Sequence, residues 1–169
     1  VFQNNPKITT VTLSDKIDTI GARAFNNCIN LTSVEFKGNV ASFNLGDYAF
    51  ANCAALEEIT IPANTTHIGK YAFYKTPLTA FTVPNEVTYL GEYAFAYTYI
   101  ETINVPASVT KIGNGAFSYC ENLEEIVFDQ AEGAALTIGG DAKIAGPYDV
   151  SDSEQWEVYH DYKGAQGTF

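Results

Sequence analysis

Acid–base or nucleophilic chemistry in this 169-residue sequence would have to come from two histidines, three cysteines and a few clustered acids. His67 and His160 stand in separate parts of the chain. A Ser-His-Asp or Cys-His pair, which needs nucleophile and base within hydrogen-bond reach, has little to draw on. Cys28, Cys53 and Cys120 are odd in number and lack metal-ligand spacing, so neither zinc nor redox chemistry is supported. The densest acids are Glu57-Glu58, Glu101 and Glu124-Glu125. Hydrolysis by paired carboxylates needs one of them in a cleft that raises its pKa. Asp149, Asp152 and Glu154 lack the spacing of a calcium loop. No catalytic, cofactor-binding or metal-binding residue is assigned, no cofactor is expected, and the reading is that of a non-enzyme.

What positions these residues is an internal repeat. The phrase I/L-G-x-x-A-F begins at Ile20, Leu45, Ile68, Leu90 and Ile112, and its phenylalanines, Phe25, Phe50, Phe73, Phe95 and Phe117, follow one another at 25, 23, 22 and 22 residues. Such spacing marks stacked units that bury apolar surface against their neighbours. The chain opens inside such a unit, because Phe2, Asn5, Ile8, Val11 and Leu13 match Phe25, Cys28, Leu31, Val34 and Phe36. A processed product or a fragment of a longer protein is therefore expected. The three cysteines fall at one repeat position, where the other units carry Thr76 and Thr98. A site filled by Cys or Thr wants a small, partly apolar side chain, and buried free thiols are expected there. His67 shares its position with Tyr89 and Lys111, which marks a variable surface site.

Within each unit the Gly is read as a sharp entry into a short helical turn, the Phe as the plug of the layer, and the following L-x-x-I-x-F phrase as a strand. Parallel strands are predicted near 9–13, 32–36, 57–61, 79–83, 101–105 and 124–128. Pro62, Pro84 and Pro106 directly follow three of them and should end the ladder in register. Extra residues around 38–45 predict a bulged loop opposite the strands. A last phrase from Leu136 to Lys143 has lost its Phe. Beyond it, Ser151 to Glu154 resembles a capping box, and Trp156, Tyr159 and Tyr162 fit an amphipathic helix over 152–163 whose aromatic face covers the end of the core. The domain reading is a solenoid over 1–142, its first repeat partial, and a cap over 143–169.

Composition narrows the partners. A net charge of −11 with nine Lys and Arg argues against nucleic acid and anionic membranes. No apolar run reaches the roughly 20 residues of a membrane span. Proteins or neutral glycans remain as ligands.

The phrase I-G-x-x-A-F-x-x-C-x-x-L-x-x-I-x-I-P, nearly whole from Ile112 and slightly shortened from Ile68 and Leu90, resembles the BspA-like leucine-rich repeats. The likeness runs from Phe2 to about Ala142. It departs at Pro77-Leu78, one residue short between Phe and Leu, and at Lys143 in place of Phe. The resemblance implies an α/β leucine-rich-repeat solenoid with a parallel concave β-sheet, short helical turns opposite and a C-terminal capping helix. It also implies secreted or surface-anchored proteins, mostly bacterial, concerned with adhesion.

Strand periodicity turns two columns outward: Thr10, Ser33, Glu58, Ala80, Thr102, Glu125 and Thr12, Glu35, Thr60, Thr82, Asn104, Val127. Among them Thr12, Ser33, Glu35, Glu58, Thr60, Thr82, Thr102, Asn104 and Glu125 form the candidate face for a protein ligand, such as a host matrix or cell-surface protein. A structural spacer within a longer surface protein is the alternative. A third reading is a glycan-binding module along Tyr48, Tyr71 and Tyr93, which recur two residues before Phe; half-open repeat packing is the simpler account of those tyrosines.

Overall fold

The computed structural model describes residues 2–38, 40–130 and 134–139. The repeat phrases close into coils stacked one on the next. Phe2, Phe25, Phe50, Phe73, Phe95 and Phe117 form one row of near-parallel rings with centroids 5.3–5.8 Å apart. Beside the row run the buried columns Leu31, Leu56, Leu78, Ile100, Leu123 and Ile20, Leu45, Ile68, Leu90, Ile112. A fully buried side chain of this size contributes about 1.5–3 kcal/mol through removal of apolar surface from water, so cohesion accumulates coil by coil.

Among the described residues ten short strands arise from the alternating stretches: β1 Thr10–Leu13, β2 Thr19–Ile20, β3 Ser33–Phe36, β4 Phe43–Leu45, β5 Thr65–Ile68, β6 Tyr89–Leu90, β7 Thr102–Val105, β8 Lys111–Ile112, β9 Glu125–Phe128 and β10 Thr137–Ile138. The continuous parallel sheet is the one leading into the glycines, in the order β2-β4-β5-β6-β8-β10. The face expected to carry a full sheet keeps only the pairs β1-β3 and β7-β9, while 57–61 and 79–83 stay outside any ladder.

Proline explains the difference. In both intact pairs the residue after the outer strand donates its N–H to the last carbonyl of its neighbour, Lys37 to Leu13 and Asp129 to Val105. At the three junctions between them that residue is Pro62, Pro84 or Pro106, which has no N–H to give. The prolines therefore do more than end strands in register: each removes the closing rung. On the continuous sheet the equivalent donors are Gly46, Gly69, Gly91, Gly113 and Gly139, bonded to Ile20, Leu45, Ile68, Leu90 and Ile112 at 2.8 Å.

The expected short helical turns are absent; the described residues contain no helix. Each A-F stretch is a run of tight turns with bonds such as Ala24 N–H to Gly21 carbonyl and Cys28 N–H to Phe25 carbonyl. Every fourth residue has positive φ: Arg23 and Asn27, Tyr48 and Asn52, Tyr71 and Lys75, Tyr93 and Tyr97, Gly115 and Tyr119. A right-handed helix cannot continue through such residues. The alternation instead aims every second N–H at the next coil, as from Arg23, Phe25 and Asn27 to the carbonyls of Asp47, Ala49 and Ala51.

The repeat glycine also has a different reason from the one its position suggests. Of the described glycines only Gly115 has positive φ. A Cβ on Gly91 would lie 2.4 Å from Gly69 backbone atoms, and one on Gly113 2.4 Å from the Glu92 nitrogen. The site is empty of side chain because two backbones meet there. The extra residues near 38–45 do not simply loop out either: Phe43–Leu45 joins the continuous sheet, and Phe43 is buried edge-on against Phe36. The expected cap over 143–169, with its helix, lies outside the described residues.

Gly91→Ala should lower the denaturant midpoint by the equivalent of about 3 kcal/mol or more, since the clash is with backbone that cannot give way. Gly21→Ala, whose added Cβ would meet nothing within 4 Å, should be neutral or slightly stabilising.

Candidate protein-interaction face

The two outward columns are exposed along their length, whether or not a ladder joins their residues. Register pairs Thr10 with Ser33 and Thr12 with Glu35 at one end, and Thr102 with Glu125 and Asn104 with Val127 at the other. Glu58, Thr60 and Thr82 occupy the stretch between the pairs. Inward residues of the same segments, Ile59, Ile61, Phe81, Val83, Ile103 and Val105, are buried, which fixes the orientation of their neighbours.

Local polar contacts on this face are light. Thr12 Oγ1 donates to Glu35 Oε2 at 3.4 Å, and Lys37 Nζ approaches Glu35 Oε1 at 2.7 Å. The hydrogen bond from Lys37, then its charge, holds the Glu35 carboxyl below the usual range. Asn104 Nδ2 donates to Asp129 Oδ2 at 2.6 Å. Lys37 and Asp129 belong to the face although the strand pattern did not include them. Their common place, one residue past the last inward position, was the available signal. No ion pair ties down Glu58 or Glu125 among the described residues. The result is a polar, acidic, shallow wall with no enclosed acid pair, suited to extended contact rather than capture of a small molecule.

Other sequence candidates settle elsewhere. His67 is exposed and in register with Tyr89, itself in register with Lys111, as its repeat position implied. His160 and the Asp149, Asp152, Glu154 group lie outside the described residues. Tyr48, Tyr71 and Tyr93 form a half-buried stack with centroids 4.7 and 5.0 Å apart. Arg23 caps one end at 4.8 Å from the Tyr48 ring, and the Tyr93 ring fills the space a Cβ on Gly115 would take. Ring faces engaged in this way leave no stripe for a sugar to stack on, so the half-open packing account holds for them. Burial, then the neighbouring tyrosine rings, raise the Tyr71 pKa.

The cysteines are free and buried, with a role that composition did not reveal. Cys28 Sγ donates to the Phe2 carbonyl at 3.1 Å, Cys53 Sγ to Phe25 at 3.2 Å, Thr76 Oγ1 to Phe50 at 2.7 Å and Cys120 Sγ to Phe95 at 3.1 Å. Cys28, Cys53, Thr76 and Cys120 are all small and each donates one hydrogen to the coil below, whereas Thr98 turns its hydroxyl to the Phe95 carbonyl of its own coil at 2.8 Å. Burial pushes the Cys53 thiol from 9.0 up to about 12, which keeps it protonated and inert as a nucleophile.

The BspA type leucine-rich repeat region matches residues 1–124 in six copies. Among solved structures, a T. pallidum leucine-rich repeat protein is 26% identical with a TM-score of 0.76, covering 96% of this chain and 75% of that one. A leucine-rich repeat protein from Eubacterium ventriosum is 36% identical with a TM-score of 0.64, over 72% of this chain and 32% of its own. A leucine rich cell surface protein from Faecalibacterium prausnitzii is 30% identical with a TM-score of 0.60, over 77% and 41%. The chain thus spans well under half of the last two. No curated protein matches it.

Thr and Val have the same shape, so Cys53→Thr should stay within about 1 kcal/mol of the parent while Cys53→Val falls about 1 kcal/mol below Cys53→Thr for want of the donor. The folded thiol holds its proton to higher pH than the unfolded one. Stability should therefore be intact below pH 9 and decline as pH rises toward about 12, and Cys53→Thr should show a smaller decline in alkaline denaturant titrations.

Proposed function

Because the chain belongs to the BspA-type leucine-rich repeat family, we propose that it is a non-enzymatic surface or secreted module whose partner is a protein, engaged across the face that carries Thr12, Ser33, Glu35, Glu58, Thr60, Thr82, Thr102, Asn104 and Glu125. The observation that carries this reading is the exposure of both outward columns end to end over inward residues that are buried in the middle coils and half-buried at Val11, Leu13, Val34, Phe36, Ile126 and Phe128. The partner's matching surface is basic, since Glu35, Glu58 and Glu125 all lie on the face and the chain has a net charge of −11. An extracellular location draws support from the F. prausnitzii neighbour, which is a cell surface protein.

A spacer within a longer surface protein is the second reading. It is favoured by one observation, that this chain spans 32% and 41% of two of its structural neighbours. The two readings part in one experiment, binding of the chain to immobilised matrix and cell-surface proteins. The interaction reading expects saturable binding that weakens with added salt and falls about tenfold or more in the triple variant Glu35→Lys, Glu58→Lys, Glu125→Lys. Binding indifferent to that variant removes the face from consideration, and no saturable binding at all supports the spacer.

A further inference from the structure

Two of the coils take one residue fewer between Phe and the next Leu or Ile than their neighbours do: Thr76-Pro77-Leu78 and Thr98-Tyr99-Ile100, against Cys53-Ala54-Ala55-Leu56 and Cys120-Glu121-Asn122-Leu123. Where the two shortened coils lie side by side, between longer ones, the wall is cut back into an open cleft of about 340 Å³. Its lining includes Lys75, Tyr97, Tyr99, Tyr119 and Glu121, with Ala54 and Pro77 as apolar ground. The tyrosines are 38%, 50% and 52% exposed in sequence order.

The rings are not equivalent. Tyr97 and Tyr119 are stacked on each other at 4.5 Å and 13°, and Lys75 Nζ stands 5.1 Å from the Tyr97 centroid. Tyr99 is half-exposed in the cleft and has neither a ring nor a cation against it among the described residues, which leaves its ring available for a stacking partner. Lys75 and Glu121 make no ion pair among the described residues. The cleft therefore offers one open aromatic face, one cationic donor and one anionic acceptor.

That combination selects its ligand by exclusion. A cation meets Lys75 and an anion meets Glu121 within a chain of net charge −11. A proline-rich peptide needs successive slots between aromatic ridges, and the Tyr97–Tyr119 stack is closed at 4.5 Å. A flat neutral molecule with a C–H face for one ring and hydroxyls for a donor and an acceptor uses all three groups. We propose that the cleft around Tyr99 binds a neutral pyranose sugar, its ring stacked on Tyr99 and its hydroxyls held by Lys75 and Glu121. The site is distinct from the strand face and does not depend on that reading.

Calorimetric titration of the full chain with cellotriose, laminaritriose and N,N′-diacetylchitobiose tests it, with hexaproline and an arginine tripeptide as competing probes. Binding of at least one sugar is expected, weakened at least about tenfold by Tyr99→Ala. Tyr99→Phe should retain it, because the ring remains. The variant Glu35→Lys, Glu58→Lys, Glu125→Lys should leave the titration unchanged. Circular dichroism of each variant checks the fold, which a half-exposed side chain should not disturb. No heat with any of the three sugars, binding untouched by Tyr99→Ala, or binding of only a peptide probe would overturn the assignment.

Discussion

Everything in this molecule follows from how closely one backbone lies upon the next. At the repeat glycine two coils approach so nearly that a single methyl would strike main-chain atoms at 2.4–2.7 Å at Gly46, Gly69, Gly91, Gly113 and Gly139. That proximity lets the glycine N–H reach the carbonyl below at 2.8 Å and keeps the phenylalanine rings in van der Waals register. Side chains can then be sorted into an inner row that packs on its neighbours and an outer row exposed to solvent. The proposed interaction face is a by-product of the stacking rule rather than a site built by converging loops.

The two hydrogen-bonded flanks obey opposite residues. Glycine keeps its donor and sheds its side chain, and the sheet on its side runs unbroken through six strands. Proline sheds its donor, and the strands on its side pair only where Lys37 and Asp129 replace it. The turns supply a third ladder through residues of positive φ, a geometry that asparagine tolerates and that tyrosine and lysine adopt here under the pull of inter-coil bonds. Loss of rungs beneath the proposed interaction face leaves its middle third ordered chiefly by buried Ile59, Ile61, Phe81 and Val83, with the bond from Thr79 N–H to the Glu57 carbonyl retained.

Buried positions vary only among side chains of similar size, such as Cys and Thr or Leu and Ile, while positions that point away from the stack vary freely. His67, Tyr89 and Lys111 share one such column, and Ala54, Pro77, Tyr99 and Glu121 share another. A repeat protein changes its surface chemistry in this way without renegotiating its core, because each coil rests only on its neighbours. The shortened coils at Pro77 and Tyr99 show the same economy with length: removing one residue per coil leaves Leu78 and Ile100 buried but cuts back the wall outside them.

The spacing of the phenylalanines determined the array, its buried columns and the outward sense of Thr12, Ser33, Glu35 and the rest, since a two-residue period and a fixed repeat leave no other arrangement that buries the apolar set. The same letters misdirected the reading of the turns, because I-G-x-x-A-F gives no sign that every fourth residue will be left-handed; that choice is forced by bonds to a neighbouring coil some 22 residues away. Likewise the role of glycine as a contact point, of Cys53 as a donor to Phe25 and of Tyr99 as an open face could be decided only when coils distant in sequence were laid together. Local sequence encodes which side of a segment is apolar, and contact between coils sets what each polar group and each missing atom is for.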